Sequence, residues 1–177
     1  MFDSLRPASL AVLAALAAGP VLAQEQPNAS AIMLDASGAE IGSAKLVQGP
    51  AGILVHVKVT GLEPGAHGLH LHSVGVCDTG EDFETSEGHV GKAKGTHGLL
   101  NPEGPEPGDL PNLYVAADGI GDAEFFTPMV SLGEGENDLL DEDGSAFIVH
   151  ADPDDHRSQP IGGAGGRVAC GVIEVVD

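Results

Sequence analysis

Apolar and polar side chains alternate along much of this chain. In AGILVHVKVTG, Ile53, Val55, Val57 and Val59 fall on one face and Leu54, His56, Lys58 and Thr60 on the other, the period of a half-buried strand. Similar short runs occur at ASAIMLD, NLYVAADG, GDAEFF, SAFIVHA and RVACGVIEVV, and glycine-bearing turns such as DASGAE and AADGIGDAE separate several of them, as in hairpins. No amphipathic helical period of useful length breaks the series. The pattern predicts an all-β, antiparallel sandwich or barrel.

Two segments depart from this rhythm. One runs from about Ser73 to Pro111 and is rich in Gly, Pro, His and acids; the other, HADPDDHRSQPIGGAGG, lies between the last two strands. Unstructured loops of this length inside a compact domain are usually functional, and these carry histidines. In HGLHLHSVGVC, alternation points His70 and His72 the same way and sends Leu69 and Leu71 into the core. Two imidazoles so placed can ligate one metal, although an isolated H-x-H also fits two exposed histidines. Further along come His89, His97, Glu106, Asp109 and His150. Imidazole suits copper and zinc, and a carboxylate added to imidazoles still suits zinc.

The first residues change the compartment. MFDSLRPASLAVLAALAAGPVLAQ has one arginine, an apolar run from Leu10 to Ala18, a Gly19-Pro20 break and the small-residue site Val21-Leu22-Ala23. Residues 1–23 read as a secretory signal peptide, cut before Gln24, with residues 24–177 as the mature domain. The apolar run is too short to span a bilayer, which takes about 20 apolar residues, so membrane insertion is not expected. Export to an oxidising compartment makes a structural disulfide the first reading of Cys77 and Cys170, against two unrelated buried thiols. The formal net charge of −20 argues against nucleic acid and anionic lipid as partners. It also opposes any anionic substrate, unless the local field differs from the total.

HGLHLH, GDLPNL, FIVHADPDD and GRVACGVI, in this order, resemble the copper–zinc superoxide dismutases of bacterial periplasms, and the resemblance covers the chain from about Asn28 onward. It implies a Greek-key β-sandwich or barrel of about eight strands with two long functional loops. It also implies an exported enzyme, periplasmic or extracellular, that converts superoxide to dioxygen and hydrogen peroxide. The implied copper ligands are His70, His72, His89 and His150, with His89 bridging to a zinc held by His89, His97 and Asp109. The implied disulfide joins Cys77 and Cys170. Asp154 matches the carboxylate that links histidines of the two sites, and Arg167 matches the arginine that docks the anion beside copper. By the same resemblance, His89 leaves copper on reduction, takes up a proton and passes it on.

Two features depart from the family pattern. Glu106 stands where a third zinc-site histidine is expected, so it is either a fourth zinc ligand or a solvated acid beside a weakened site. HVGKAKG replaces the aromatic-Asn-Pro turn after the bridging histidine. Lys92 and Lys94, in that segment, are the candidate steering charges. The rival readings are a periplasmic copper carrier on the same scaffold and an active copper enzyme with a weak or empty zinc site. A homodimer is possible. His67 is expected to brace its strand by hydrogen bonding, and EGENDLLDEDG to be a solvated acidic connection.

Overall fold

The computed structural model describes residues 28–91, 96–133 and 135–176. The segment expected to be a signal peptide, Lys92 and Lys94 lie outside the described residues. Among these residues ten strands follow one another: β1 (Asn28–Asp35), β2 (Glu40–Gly49), β3 (Gly52–Thr60), β4 (Gly65–His67), β5 (Leu69–His72), β6 (Leu113–Val115), β7 (Ile120–Thr127), β8 (Ala146–His150), β9 (Arg167–Val172) and β10 (Glu174–Val175). The count exceeds eight because β4 and β10 are short additions, the latter pairing with β1.

Every strand pairing is antiparallel, in the order β4-β6-β7-β3-β2-β1-β9-β8-β5. β4 and β5, at opposite ends of this order, are separated in the chain only by Gly68, so the sheet wraps into a nearly closed barrel. The alternation of β3 holds as read: Ile53, Val55, Val57 and Val59 are wholly buried and the residues between them exposed. β2 lacks a clear apolar alternation because small residues occupy much of it. Gly42 faces Val59 and Ala44 faces Val57, and a Cβ at Gly42 would collide with the Lys58 carbonyl.

β5 and β8 form the wall that matters for function. All four residues of β5 and all five of β8 are buried, so this wall is covered on both faces. Leu69, Leu71, Phe147 and Val149 join the main barrel core. In register across the strands, His70 pairs with Ile148 and His72 with Ala146, which places these side chains with His150 on the outer face. A satellite core of Phe83, Ala146, Ile148 and Cys170, with Cys77 against it, covers one end of that face. The Cys77–Cys170 disulfide is formed. The acidic connection near residue 139 is less solvated than expected, since Leu139 is wholly buried in the main core.

Candidate metal centre

Two stretches of the first long loop lie along β5 as extra extended segments. Leu71 N–H donates to the Gly108 carbonyl (2.8 Å), while Val90 N–H donates to the Leu71 carbonyl (2.8 Å). Isolated bridges join His70 to Asp109 and His72 to His89. Gly108 is required by this approach, because a Cβ there would strike the Leu71 carbonyl and stand 2.8 Å from Val90 N. Gly68 serves the second loop similarly: its Cβ would stand 2.8 Å from Ala164 Cβ.

His70, His72, His89 and His150 are all buried, and one ligating atom from each lies within 4.8 Å of the others. His70 Nδ1, His72 Nε2, His89 Nε2 and His150 Nε2 are buried without a hydrogen-bond partner. The opposite nitrogen of each ring is held. His70 Nε2 donates to Asp154 Oδ2 (2.9 Å), His72 Nδ1 to the Glu87 carbonyl (2.8 Å), His150 Nδ1 to the Gly165 carbonyl (3.1 Å) and His89 Nδ1 to Glu106 Oε2 (2.8 Å). A proton fixed on one nitrogen leaves a lone pair on the other. Four orphaned ring nitrogens in one buried space fit a metal ion with affinity for imidazole, since leaving so many polar atoms unmatched is otherwise costly. Burial drives His70 down to about 3 and His150 to about 4, and holds His72 well below its ordinary value. These rings are neutral, as ligation requires.

A second group, His70, His89, His97 and Asp109, also converges within 4.8 Å. His70 belongs to both because its ring packs against His89, with centroids 4.1 Å apart. Asp109 Oδ1 lies 2.8 Å from His97 Nδ1 and 3.1 Å from His89 Nδ1. Its Oδ2 accepts main-chain N–H bonds from Gly98 (2.7 Å) and Glu106 (2.9 Å), which fixes the carboxylate. Glu106 is 2 % exposed, so it is not a solvated acid. Its Oε1 accepts from Thr96 Oγ1 (3.2 Å) while Oε2 faces His89. Burial disfavours charge on His89 and His97, but the facing carboxylates outweigh it: His89 is raised, and Asp109 with Asp154 lifts His97 to about 10. Against its own burial, Asp109 is held below the usual carboxylate range by His89, His97 and main-chain N–H groups. Imidazoles and hard oxygens around one space fit zinc.

Asp154 links the groups, its Oδ2 accepting from His70 and its Oδ1 from His97 Nε2 (3.2 Å). Asn112 holds its main chain from both sides, donating to the Asp154 carbonyl (2.8 Å) and accepting from its N–H (2.9 Å). His156 is in neither ligand group. Its N–H donates to Asp154 Oδ1 (2.6 Å), and Asn112 Nδ2 lies 3.3 Å from its Nε2. His67 braces the wall as expected, with its ring nitrogens 2.7 Å from the His150 carbonyl and 2.8 Å from that of Glu63.

A cavity of about 310 Å³ opens over the first group, lined by His72, His89, His150, Gly165, Arg167 and Glu84. Arg167 is gripped by the loop that the disulfide closes: Nη1 donates to the Phe83 carbonyl (2.6 Å) and Ser86 Oγ (2.9 Å), and Nη2 to the Glu87 carbonyl (2.8 Å). Positive φ at Asp82 (49°), Phe83 (61°) and Glu87 (59°) shapes this loop. Sequence reasoning missed Phe83, Glu84, Ser86 and Glu87. Non-glycine residues in left-handed conformations leave no mark in a sequence. Arg157 is engaged elsewhere, donating from Nη1 to the Leu100 carbonyl (2.9 Å).

An antiparallel barrel carrying two adjoining buried ligand groups, which share His70 and His89 and are linked through Asp154, is the architecture of a protein able to hold two metal ions. A family model described as Copper/zinc superoxide dismutase (SODC) matches residues 40–173. The chain is 49 % identical over 150 residues to a Superoxide dismutase [Cu-Zn] of Caulobacter vibrioides, covering 83 % of this chain and 86 % of that one. It is 40 % identical over 144 residues to Superoxide dismutase [Cu-Zn] 1 of Aquifex aeolicus, covering 80 % and 85 %. Among solved structures, a double mutant of a SOD-like protein from Bacillus subtilis superposes with a TM-score of 0.77 at 38 % identity, covering 81 % of this chain and 95 % of that one. Cu/Zn superoxide dismutase from Brucella abortus gives a TM-score of 0.66 at 28 % identity, covering 83 % and 99 %. This chain belongs to the copper/zinc superoxide dismutase family.

Proposed function

We propose that this chain is an exported superoxide dismutase in which His70, His72, His89 and His150 hold copper and His89, His97, Asp109 and Glu106 hold zinc. The observation that carries the reading is the set of four buried, unpartnered imidazole nitrogens converging beneath the cavity that Arg167 overlooks. One-electron exchange with successive superoxide ions is the chemistry copper supplies when bound, whereas zinc has no redox chemistry and would order the loops.

Arg167 docks the anion by charge-assisted hydrogen bonding, its guanidinium fixed by loop carbonyls rather than free to wander. His89 Nε2, which faces the copper-side space, is placed to carry the proton that peroxide formation requires. Asp154 positions His70 and His97 together and fixes their tautomers, as carboxylates beside metal-bound imidazoles do. The burial of Glu106, with Oε2 on His89, supports ligation over a degraded zinc site. Lys92 and Lys94 act as steering charges. Residues 1–23 direct export to the periplasm, the compartment in which the Cys77–Cys170 bridge forms and persists.

The test is metal content by mass spectrometry with a superoxide-consumption assay on the same sample from the native compartment. Copper and zinc with activity is the expected result. Copper without activity overturns the enzymatic reading in favour of a carrier, and no metal overturns both. N-terminal sequencing of that sample is expected to begin at Gln24, and sedimentation separates monomer from homodimer.

A further inference from the structure

Arg167 Nη1 and Nη2 each carry two protons, and the protein supplies four oxygens for them. Three are firmly placed. The Phe83 and Glu87 carbonyls belong to the main chain, and Ser86 Oγ belongs to a wholly buried residue. The fourth differs. Glu84 Oε2 stands 3.1 Å from Nη2, on a side chain that is 70 % exposed. It is therefore the partner of Arg167 that can move aside, it is itself an anion, and it sits in the wall of the cavity through which an anion must enter.

We infer that Glu84 is a displaceable internal anion that competes with incoming small anions for the Arg167 guanidinium. This rests on the copper reading above. Docking becomes an exchange: the Glu84 carboxylate swings into water and the incoming anion takes its place on Nη2. A tethered competitor weakens every anion at Arg167 because its effective concentration is fixed by the chain rather than by the solution. Bystander anions at millimolar concentration thereby occupy the guanidinium less. Glu84 thus lowers the occupancy of every anion at the arginine, leaving it available for a brief visit rather than for long residence.

The probe is azide, titrated into copper-loaded protein at low ionic strength and followed by the azide-to-copper(II) charge-transfer band. Three proteins are compared: wild type, Glu84→Gln, and Glu81→Gln, which removes one exposed charge from the neighbouring turn. Glu84→Gln is expected to bind azide about two- to fivefold more tightly, the range an exposed ion pair supports, and Glu81→Gln to match wild type. Equal azide affinity in wild type and Glu84→Gln overturns the inference. So does an equal gain in Glu81→Gln, which would reduce the effect to total charge. A wild-type protein that shows no azide band after copper loading overturns the copper reading itself, and this inference with it.

Discussion

Replacing Cys77 and Cys170 together by alanine removes a bridge that spans 93 residues. In the chain-entropy treatment, closing a loop of that length constrains the unfolded chain by about 4.6 kcal/mol at 25 °C. Native-state losses add to this, because Cys170 is wholly buried in the satellite core with Phe83 and Ile148. The measurement is urea unfolding of metal-free protein, chosen so that bound metal does not mask the difference. With a slope of about 2 kcal/mol/M, the midpoint should fall by about 2 M. A functional consequence accompanies the loss of stability. The Phe83 carbonyl, Ser86 and Glu87 carbonyl, which hold Arg167, all lie in the segment anchored by Cys77. Freed from β9, that segment should hold the guanidinium less firmly, and azide affinity of the copper-loaded variant should fall. A stability loss under about 1 kcal/mol would refute the loop-entropy reasoning. Unchanged azide affinity in a clearly destabilised variant would refute the claim that the bridge positions Arg167.

Asp154→Asn keeps the side chain's size but gives it one acceptor oxygen where His70 and His97 each need one; zinc affinity in a chelator-competition assay should fall about 10- to 100-fold. Glu106→Gln removes a buried negative charge facing His89, so zinc should be lost to the same chelator at concentrations about tenfold lower, with copper retained; unchanged zinc retention would show that Glu106 is not a ligand. Replacing both Lys92 and Lys94 with glutamine should lower the superoxide rate constant at low ionic strength and flatten its salt dependence, and an unaltered salt profile would end the steering assignment.

The strands legible in the sequence are those with one wet face. β3 shows its alternation because Leu54, His56 and Lys58 meet water while Ile53, Val55 and Val57 meet the core. In β5 the alternation separates His70 and His72 from Leu69 and Leu71, but nothing in it says that both faces are covered. That depends on one long loop returning at residues 90 and 108 to bond Leu71. Glu106 is legible as a carboxylate at a ligand position, yet its burial follows from the same loop closure. The grip on Arg167 was illegible for a different reason. Its acceptors are carbonyl groups, which every residue has, and their aim depends on left-handed backbone at Asp82, Phe83 and Glu87.

The difficulty of a chain with a formal charge of −20 receiving an anion is a matter of where the charges act. Glu106, Asp109 and Asp154 are buried against histidines, where a bound cation would offset them further. Asp122 pairs with His56 and Lys58 on the exposed face of β3, and Asp155 accepts main-chain N–H bonds from Arg157 and Ser158 within its own turn. These acids contribute to the total but not specifically to the mouth. There, among the described residues, the charges are Arg167, Glu84 beside it and the exposed Glu87 lining the same cavity. A single guanidinium fixed by three immovable acceptors can dominate so small a region only if the acid next to it is free to leave. Net charge then governs solubility and distant approach, while the mobility of one glutamate governs the last few ångströms.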